Sequence, residues 1–466
     1  MSIQNLEKQS FTKMQNSPSQ SESDTNTSPN RRDWQMANID EDGWDIINRD
    51  ANAFFHQSVS SPCLSALVEA KGSWLKDTAG NQYLDFHGNN VHLLGHANPE
   101  IIAAINKQMQ DLAFVPRRFT CERTVELAEK LCEQFKKNTG HNGRVLFAPS
   151  GTDAIEIALK IARATTGRHK TLSFWDAFHG AGFGAASVGG ESLFRSGPIG
   201  PLMAGANHIA PFNCYRCPYG HKDNETCGLA CANMAAYALE READIAAVIA
   251  EPTRVVPYIP PKGYWKKVRE ACDRHNSLLI FDEIPSGLGR TGKFFSFAHE
   301  DVSPDMVVLG KSLGGGILPM AAVIARADLD GGKDWAFGHY THEKNPVMAM
   351  AALTTIKIVE RDNLANRAEE LGNRAIQRLS KLEEEYGFIT NVRGRGLIIG
   401  LEIVKDKVSQ EPDLELADKI MYRALSFGLS FKITMGNVIT LTPPLTISDE
   451  EFDLGLTKLE QAFACV

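Results

Sequence analysis

The sequence predicts an α/β fold: a large domain with a mostly parallel sheet covered by helices, plus a small α+β domain built from the N- and C-terminal segments. Three observations predict it. Ser277–Phe281 and Met306–Leu309 are short apolar runs that end in reactive groups, Asp282–Glu283 and Gly310–Lys311. Strand-like and helix-like segments alternate from Arg144 to Phe281, the pattern of parallel strands joined by crossover helices. After Asn345 a long helix leads into Arg374–Tyr386, and two strand-like runs follow, Gly396–Val404 and Val438–Thr442. That C-terminal part reads as a separate unit packed with residues 34–95.

Taken in order, residues 1–33 are rich in Ser, Gln and Asn and lack the apolar core of a signal peptide, so a disordered, solvated tail is expected. Ordered structure is expected from Trp34. Leu67–Phe86 reads as strand-turn-strand around Asp77-Thr-Ala-Gly80, and Glu100–Leu112 has the apolar spacing of an amphipathic helix. A helix is predicted over Thr124–Gln134 and a strand over Arg144–Phe147. A helix over Asp153–Thr165 follows, then strand-like segments at Thr171–Phe174 and Ile245–Glu251. The expected division is a tail (1–33), the first part of the small domain (34–95), a large domain (96–340) and the rest of the small domain (341–466).

Composition narrows the function. The chain has 466 residues, 43% hydrophobic and 23% charged, as expected of a globular protein. Its net charge of −8 speaks against a nucleic-acid partner. No apolar run approaches the roughly 20 residues of a membrane span. Nine cysteines in so long a chain do not make a disulfide scaffold, and the reducing cytoplasm is the expected compartment.

In open α/β sheets the ligand crevice lies outside the carboxyl ends of the strands. An amine at Lys311 and a carboxylate at Asp282, both at strand ends, suit a Schiff-base lysine and a partner for a protonated pyridine nitrogen. Two rival motifs are excluded. Gly287-Leu-Gly289-Arg-Thr-Gly292 matches the dinucleotide fingerprint, but no long helix can follow it before the Ser303-Pro304 turn. Gly310-Lys311-Ser312 mimics the end of a phosphate loop, yet the position five before Gly310 is Asp305.

Ser150-Gly151-Thr152 stands between a strand and a helix, where hydroxyls, N–H groups and the helix dipole suit a phosphate. Taken alone, an ordinary helix cap explains it better. Phe178-His179-Gly180 follows the next strand, and an aromatic there can stack on a flat ring or simply fill the core. Glu251 closes another strand, with a structural ion pair as the alternative.

In this order, Ser150-Gly-Thr, Phe178-His-Gly, Glu251-Pro, Asp282-Glu and Lys311 resemble the class III aminotransferases, pyridoxal-phosphate enzymes of fold type I. The resemblance runs from about Leu67 to Thr446 and includes Leu84-Asp-Phe, Gly95-His-Ala-Asn-Pro99, Val392-Arg-Gly394 and Pro443-Pro-Leu445. It implies pyridoxal 5'-phosphate as cofactor, with Lys311 as the Schiff-base lysine and Asp282 at the pyridine nitrogen. Ser150, Gly151 and Thr152 are implied at the phosphate, and Phe178, His179 and Glu251 around the ring. It also implies a homodimer in which Thr341 reaches the neighbouring subunit's phosphate site.

Several positions depart from the family pattern. The arginine that binds an α-carboxylate, three residues before Pro443, is Thr440; an arginine often found after His-Gly is Ala181. Pro285 stands beside Asp282-Glu283, and Glu343-Lys344 replaces the usual Gly-Gly before Asn-Pro. Cations at Arg117-Arg118, Arg254 and Lys432 are candidates for a differently placed anion, each with a solvated surface charge as its alternative. Gly167-Arg-His-Lys-Thr-Leu, Gly338-His-Tyr-Thr-His-Glu-Lys344 and Leu429-Ser-Phe-Lys432 resemble a branch that performs elimination on small phosphorus-containing amines. It holds the ethanolamine-phosphate phospholyases and the (R)-1-hydroxy-2-aminoethylphosphonate ammonia-lyases, and the second is the nearer likeness. The expected activity is therefore a lyase on a small anionic amine, with an amine:oxo-acid transaminase or an ethanolamine-phosphate phospholyase as alternatives.

Cys214, Cys217, Cys227 and Cys231 have spacing similar to a structural zinc site. The uneven second gap and the absence of a metal in the family pattern favour four reduced thiols, so no metal is expected.

Overall fold

The computed structural model describes residues 27–58, 61–223 and 225–466. Most of the expected tail, residues 1–26, lies outside the described residues. Order begins before Trp34: helix α1 (Pro29–Asn38) has Ser28 as N-cap, accepting from Arg31 N–H at 3.0 Å, and proline in its first turn. Helix α2 (Glu41–Ala53) follows, then strands β1 (Leu67–Lys71), β2 (Trp74–Asp77) and β3 (Gln82–Asp85), and helices α3 (Pro99–Asp111) and α4 (Glu122–Thr139). The expected strand-turn-strand is thus a three-stranded meander, broken a second time at Gly72-Ser73.

The alternating region runs β4 (Gly143–Ala148), α5 (Gly151–Thr166), β5 (Lys170–Phe174), α6 (Phe183–Val188), β6 (Ala206–Ile209), α7 (Ala230–Glu242), β7 (Ile245–Ala250), α8 (Tyr264–His275), β8 (Leu278–Asp282), β9 (Met306–Leu309) and β10 (Ala321–Arg326). Among the described residues these strands form one seven-stranded sheet, ordered β4-β10-β9-β8-β7-β5-β6. Only β10 runs against its neighbours. Strands β7, β8 and β9 are buried at every residue, because helices cover both faces of a parallel sheet. Helix α5 crosses that sheet, touching β4, β10, β9, β8 and β7. Its first turn therefore meets the carboxyl ends of the central strands.

The chain continues with α9 (Pro346–Arg361) and α10 (Leu364–Glu385), split at Asp362-Asn363 where Asn363 has φ 50°. The single long helix expected there is two. Strands β11 (Ile389–Arg395) and β12 (Ile398–Ile403), helix α11 (Leu414–Ser426), strands β13 (Leu429–Ser430), β14 (Lys432–Thr434) and β15 (Val438–Leu441), and helix α12 (Asp449–Ala464) complete it. β11, β12, β15 and β14 form one sheet, and β13 joins β1–β3 by pairing in parallel with β3. That last pairing brings an early and a late segment of the described chain into one sheet.

The fingerprint-like stretch 287–292 lies on the seam between these parts. Arg290, fully buried, donates to Pro443 O (2.8 Å) and accepts from Leu397 N–H through its carbonyl (2.9 Å). Gly289 and Gly292 back onto Ala365 and Glu369 of α10. No long helix follows; Ser296–His299 is a single 3-10 turn. Among the described residues no helix is long and apolar enough to cross a membrane.

Candidate active site

Because β4, β5, β7, β8 and β9 point the same way, their carboxyl ends bring Ser150–Thr152, Phe178–His179, Glu251, Asp282 and Lys311 to one edge of the sheet. Ile284 ties three of them together. A Cβ on Gly151 would lie 2.8 Å from its Cδ1, and one on Gly310 only 3.2 Å from its Cγ2. The start of α5, the turn after Asp282 and the residue before Lys311 thus meet around one side chain.

Asp282 is 2% exposed. Its Oδ1 accepts from Ile284 N–H at 3.0 Å and its Oδ2 from His179 Nδ1 at 2.7 Å. A carboxylate only accepts, so His179 donates from Nδ1, and its buried Nε2 is left without a partner. Lys311 opens a 3-10 turn, Lys311–Gly314, and has φ 45°. This left-handed conformation costs a non-glycine residue about 1–3 kcal/mol and points to a position held by its surroundings. Ser312 Oγ anchors the turn by donating to Asn90 O at 2.8 Å.

At the start of α5 the Ser150 hydroxyl accepts from Asp153 N–H (3.2 Å) and donates to Asp153 Oδ2 (2.7 Å). It serves as the helix cap, which leaves the first N–H groups of the helix, on Gly151 and Thr152, without intrahelical partners. Thr152 Oγ1 accepts from Ala181 N–H at 3.3 Å. Gly180, with φ 129°, is packed so closely that a Cβ would sit 2.3 Å from that oxygen. Phe178 is half-buried, with its ring 4.7 Å from that of Phe194.

The neighbouring acid, Glu283, is fully buried and does different work. Ser296 and Phe297 N–H groups each donate to it at 2.7 Å, fixing the loop after the seam. Burial pushes its carboxyl up to about 8, against the pull of those two donors.

Among the candidate cations, Arg254 is corrected as a surface charge. It is 2% exposed, donates to Asp176 O, lies 3.9 Å from Glu251 Oε1 and stacks over Tyr258 at 5.3 Å. Glu251 accepts from Val255 N–H at 3.3 Å, so its alternative as a structural ion pair describes its contacts. Arg118 and Thr341 are exposed on this chain. Lys432, half-buried, stands directly across the β14–β15 ladder from Thr440. Thr440 is 3% exposed, with its hydroxyl 2.9 Å from that of Thr434.

His87 escaped the sequence reading. It follows β3, its N–H donates to Asp85 Oδ1 (3.0 Å), and its carbonyl accepts from the Thr442 hydroxyl (3.3 Å). Burial first, then the charges of Lys432 and Lys311, push its imidazole down to about 3. Its position after Leu84-Asp-Phe was a signal, but its neighbours come from distant parts of the chain.

Asp85, His92 and His96 are, among the described residues, the one group with metal-like spacing. Asp85 already accepts from His96 Nε2 (2.8 Å) and from the N–H groups of His87 and Gly88. A Cβ on Gly88 would lie 2.2 Å from His92 Nδ1, so that nitrogen faces backbone. The trio clamps a turn. The four cysteines line one cavity of about 20 Å³ between Pro211 and Pro261. Their loop docks on strand β12 through Arg216, which donates to Glu402 at 2.7 and 2.9 Å. A cavity of about 680 Å³ beside Val125, Leu146 and Trp335 contains none of the groups gathered at the sheet edge.

Burial holds four imidazoles below the ordinary 6.5: His87 at about 3, and His92, His208 and His299 at about 4. Between those values and 6.5 the unfolded chain binds more protons than the folded one, so stability rises with pH across this window. The thermal unfolding midpoint is expected to be lower at pH 5 than at pH 7.5, by roughly 5 °C or more. An equal or higher midpoint at pH 5 would contradict the burial of these rings.

Pyridoxal phosphate fits this edge by the chemistry of its donors. A primary amine can take its aldehyde, a buried carboxylate its ring nitrogen, and unpartnered helix N–H groups its phosphate. The orphaned Nε2 of His179 leaves a buried acceptor at this edge for a bound group.

The comparisons agree. The family model described as aminotransferase class-III matches residues 55–463. An (R)-1-hydroxy-2-aminoethylphosphonate ammonia-lyase from Vibrio splendidus is 42% identical over 460 residues, covering 96% of this chain and 95% of its own. A leucine/methionine racemase from Thermococcus litoralis is 38% identical, covering 91% of this chain and 96% of its own. The crystal structure of an amine transaminase from an uncultivated Pseudomonas species, in a PLP-bound form, superposes with a TM-score of 0.83 at 32% identity. It covers 89% of this chain and 98% of its own. The protein is an enzyme that uses pyridoxal 5'-phosphate, and its chain belongs to the class III aminotransferase family.

Proposed function

We propose that the enzyme is a lyase converting (R)-1-hydroxy-2-aminoethylphosphonate to phosphonoacetaldehyde and ammonia. The observation that carries this is Lys432 across from Thr440. Side chains directly opposite in an antiparallel ladder share a face, with Cβ atoms about 4.5–5.5 Å apart. The cation that relatives using amino acids place at position 440 is thus replaced by one a single ladder step away. That supports an amine without an α-carboxylate whose anion lies elsewhere, and the ammonia-lyase likeness supports the same substrate.

In this reading Gly151 and Thr152 hold the cofactor's phosphate through N–H groups, and Ser150 holds their helix. Phe178 lies against the ring, His179 orients Asp282, and Glu251 pairs with Arg254 behind them. When bound, pyridoxal phosphate carries the substrate's amine and stores the electron pair left by a removed proton. Asp282 keeps the ring nitrogen protonated, because opposite charges stabilise each other where solvent is excluded. Lys311 takes the proton from the carbon bearing nitrogen. Lys432 grips the phosphonate, with Arg118 a further candidate at the rim. The active unit in this proposal is a homodimer, in which Thr341 of the partner subunit completes the phosphate site.

Loss of hydroxyl from the next carbon leaves an unsaturated amine, which becomes an imine and takes up water to give the aldehyde and ammonia. Water lost equals water gained, and no oxidant or keto acid is consumed. Purified enzyme with this substrate is expected to release ammonia over many turnovers without a keto acid. Release that stops at one equivalent and resumes with pyruvate would make it a transaminase.

A further inference from the structure

The elimination needs an acid, since a hydroxide is a poor leaving group until it is protonated. Of the residues assigned above, Lys311 comes to hold a proton, the one it takes from carbon; a donor separate from that base lets both transfers proceed together. The geometry points to His87 as that donor, an inference that rests on the proposed lyase reading.

Three backbone connections place His87 at the junction of the cofactor and substrate walls. Strand β3, which it follows, pairs in parallel with β13, and Phe86 N–H donates to Ser430 O at 2.8 Å, two residues before Lys432. On the other side Thr442 N–H donates to Phe86 O at 2.7 Å, two residues after Thr440. The turn that follows His87 is tied to the Lys311 turn by Ser312 Oγ and Asn90 O. His87 therefore lies among the general base, the proposed phosphonate grip and the vacated arginine position. His87 itself is half-buried.

The charges around His87 explain how it becomes an acid only when needed. Lys432 and Lys311 face it from β14 and the Lys311 turn, His92 and Asp85 from its own side, and of these only Asp85 favours a charged ring. In the free enzyme the imidazole is accordingly neutral. Asn89 N–H donates weakly to Nδ1 (3.5 Å), which places the ring proton on Nε2. A phosphonate on Lys432 brings up to two negative charges beside the ring, and the imidazole takes up a proton with the ligand. The imidazolium then gives its Nε2 proton to the hydroxyl oxygen as the carbon–oxygen bond breaks. The bonding pair leaves with oxygen as water, the pair stored after proton removal forms the carbon–carbon double bond, and His87 returns to neutral. Acid chemistry is thus confined to complexes in which the phosphonate is seated.

The test uses the holoenzyme, the His87→Gln variant and two substrates, the hydroxy compound and 1-chloro-2-aminoethylphosphonate, whose chloride leaves without a proton. The variant is expected to lose roughly 10²–10⁴-fold in kcat on the hydroxy compound. On the chloro compound it is expected to stay within about threefold of wild type, with KM little changed, by the same acid-catalysis logic. Independently, calorimetric binding of 2-aminoethylphosphonate in two buffers of different ionisation enthalpy should show more proton uptake by wild type than by the variant, the difference approaching one proton. Loss on both substrates, activity kept on both, or equal uptake by wild type and variant would each overturn the assignment. A wild-type enzyme that releases no ammonia without a keto acid would instead overturn the lyase reading itself.

Discussion

Lys311→Ala is expected to lose at least about 10⁴-fold in turnover, the upper end of what one proton-transfer group contributes. The loss should be larger than for any other single change, because one amine both anchors the cofactor and serves as base. Its position explains why no neighbour replaces it. The residue stands at φ 45° at the head of a turn pinned by Ser312 to Asn90, so its amine is delivered from a fixed point at the strand end. The visible absorbance of the lysine-bound cofactor should vanish together with activity. Because the turn is held by Ser312, the variant should unfold near the wild-type midpoint. Turnover within tenfold of wild type would exclude Lys311 from both roles.

Asp282→Asn should retain cofactor and fold while turnover falls by roughly 10²–10⁴-fold, or about 3–5 kcal/mol at 1.36 kcal/mol per decade. The change keeps the shape at a position only 2% exposed, and an amide oxygen can still accept from Ile284 N–H. It removes the negative charge, so the ring nitrogen loses its counter-charge where solvent cannot substitute. It also turns the contact with His179 around, since an amide NH₂ at the Oδ2 position donates where the carboxylate accepted. Restoration of activity by Asp282→Glu but not by Asp282→Asn would separate charge from shape. Activity of Asp282→Asn within threefold of wild type would show that the electron sink is held by another group.

The central strands and their reactive ends were legible because burial on both faces leaves an unbroken apolar run that stops where the crevice begins. Asp282 and Lys311 announced themselves by ending such runs. What stayed hidden depends on partners far along the chain. Nothing local tells that Arg254 is interior, since its burial comes from Asp176, Glu251 and Tyr258 closing around it. Nothing near Ser150 tells that its hydroxyl turns inward to Asp153. The break between α9 and α10 rests on one left-handed asparagine, Asn363, in an otherwise helical run. His87 is the clearest case, for the residues that give it meaning, Lys432 and Thr442, lie more than 340 positions away.

The parallel seam between β3 and β13 also sets the order in which the enzyme is made. Phe86 is bonded to Ser430 and Thr442 and stacks on Phe452 at 6.0 Å, so the early segment has its partners near the end of the chain. Contacts so distant in sequence form late, because the loop between them must close before they contribute anything. During synthesis the sheet that carries Asp282 and Lys311 is complete before Ser430 has been added. The edge that carries Asp282 and Lys311 is therefore expected to form before the face that bears Lys432 and Thr440. Until β13 and β15 dock, the edge that carries Asp282 and Lys311 stands without the strands that bring Ser430 and Thr442 against Phe86.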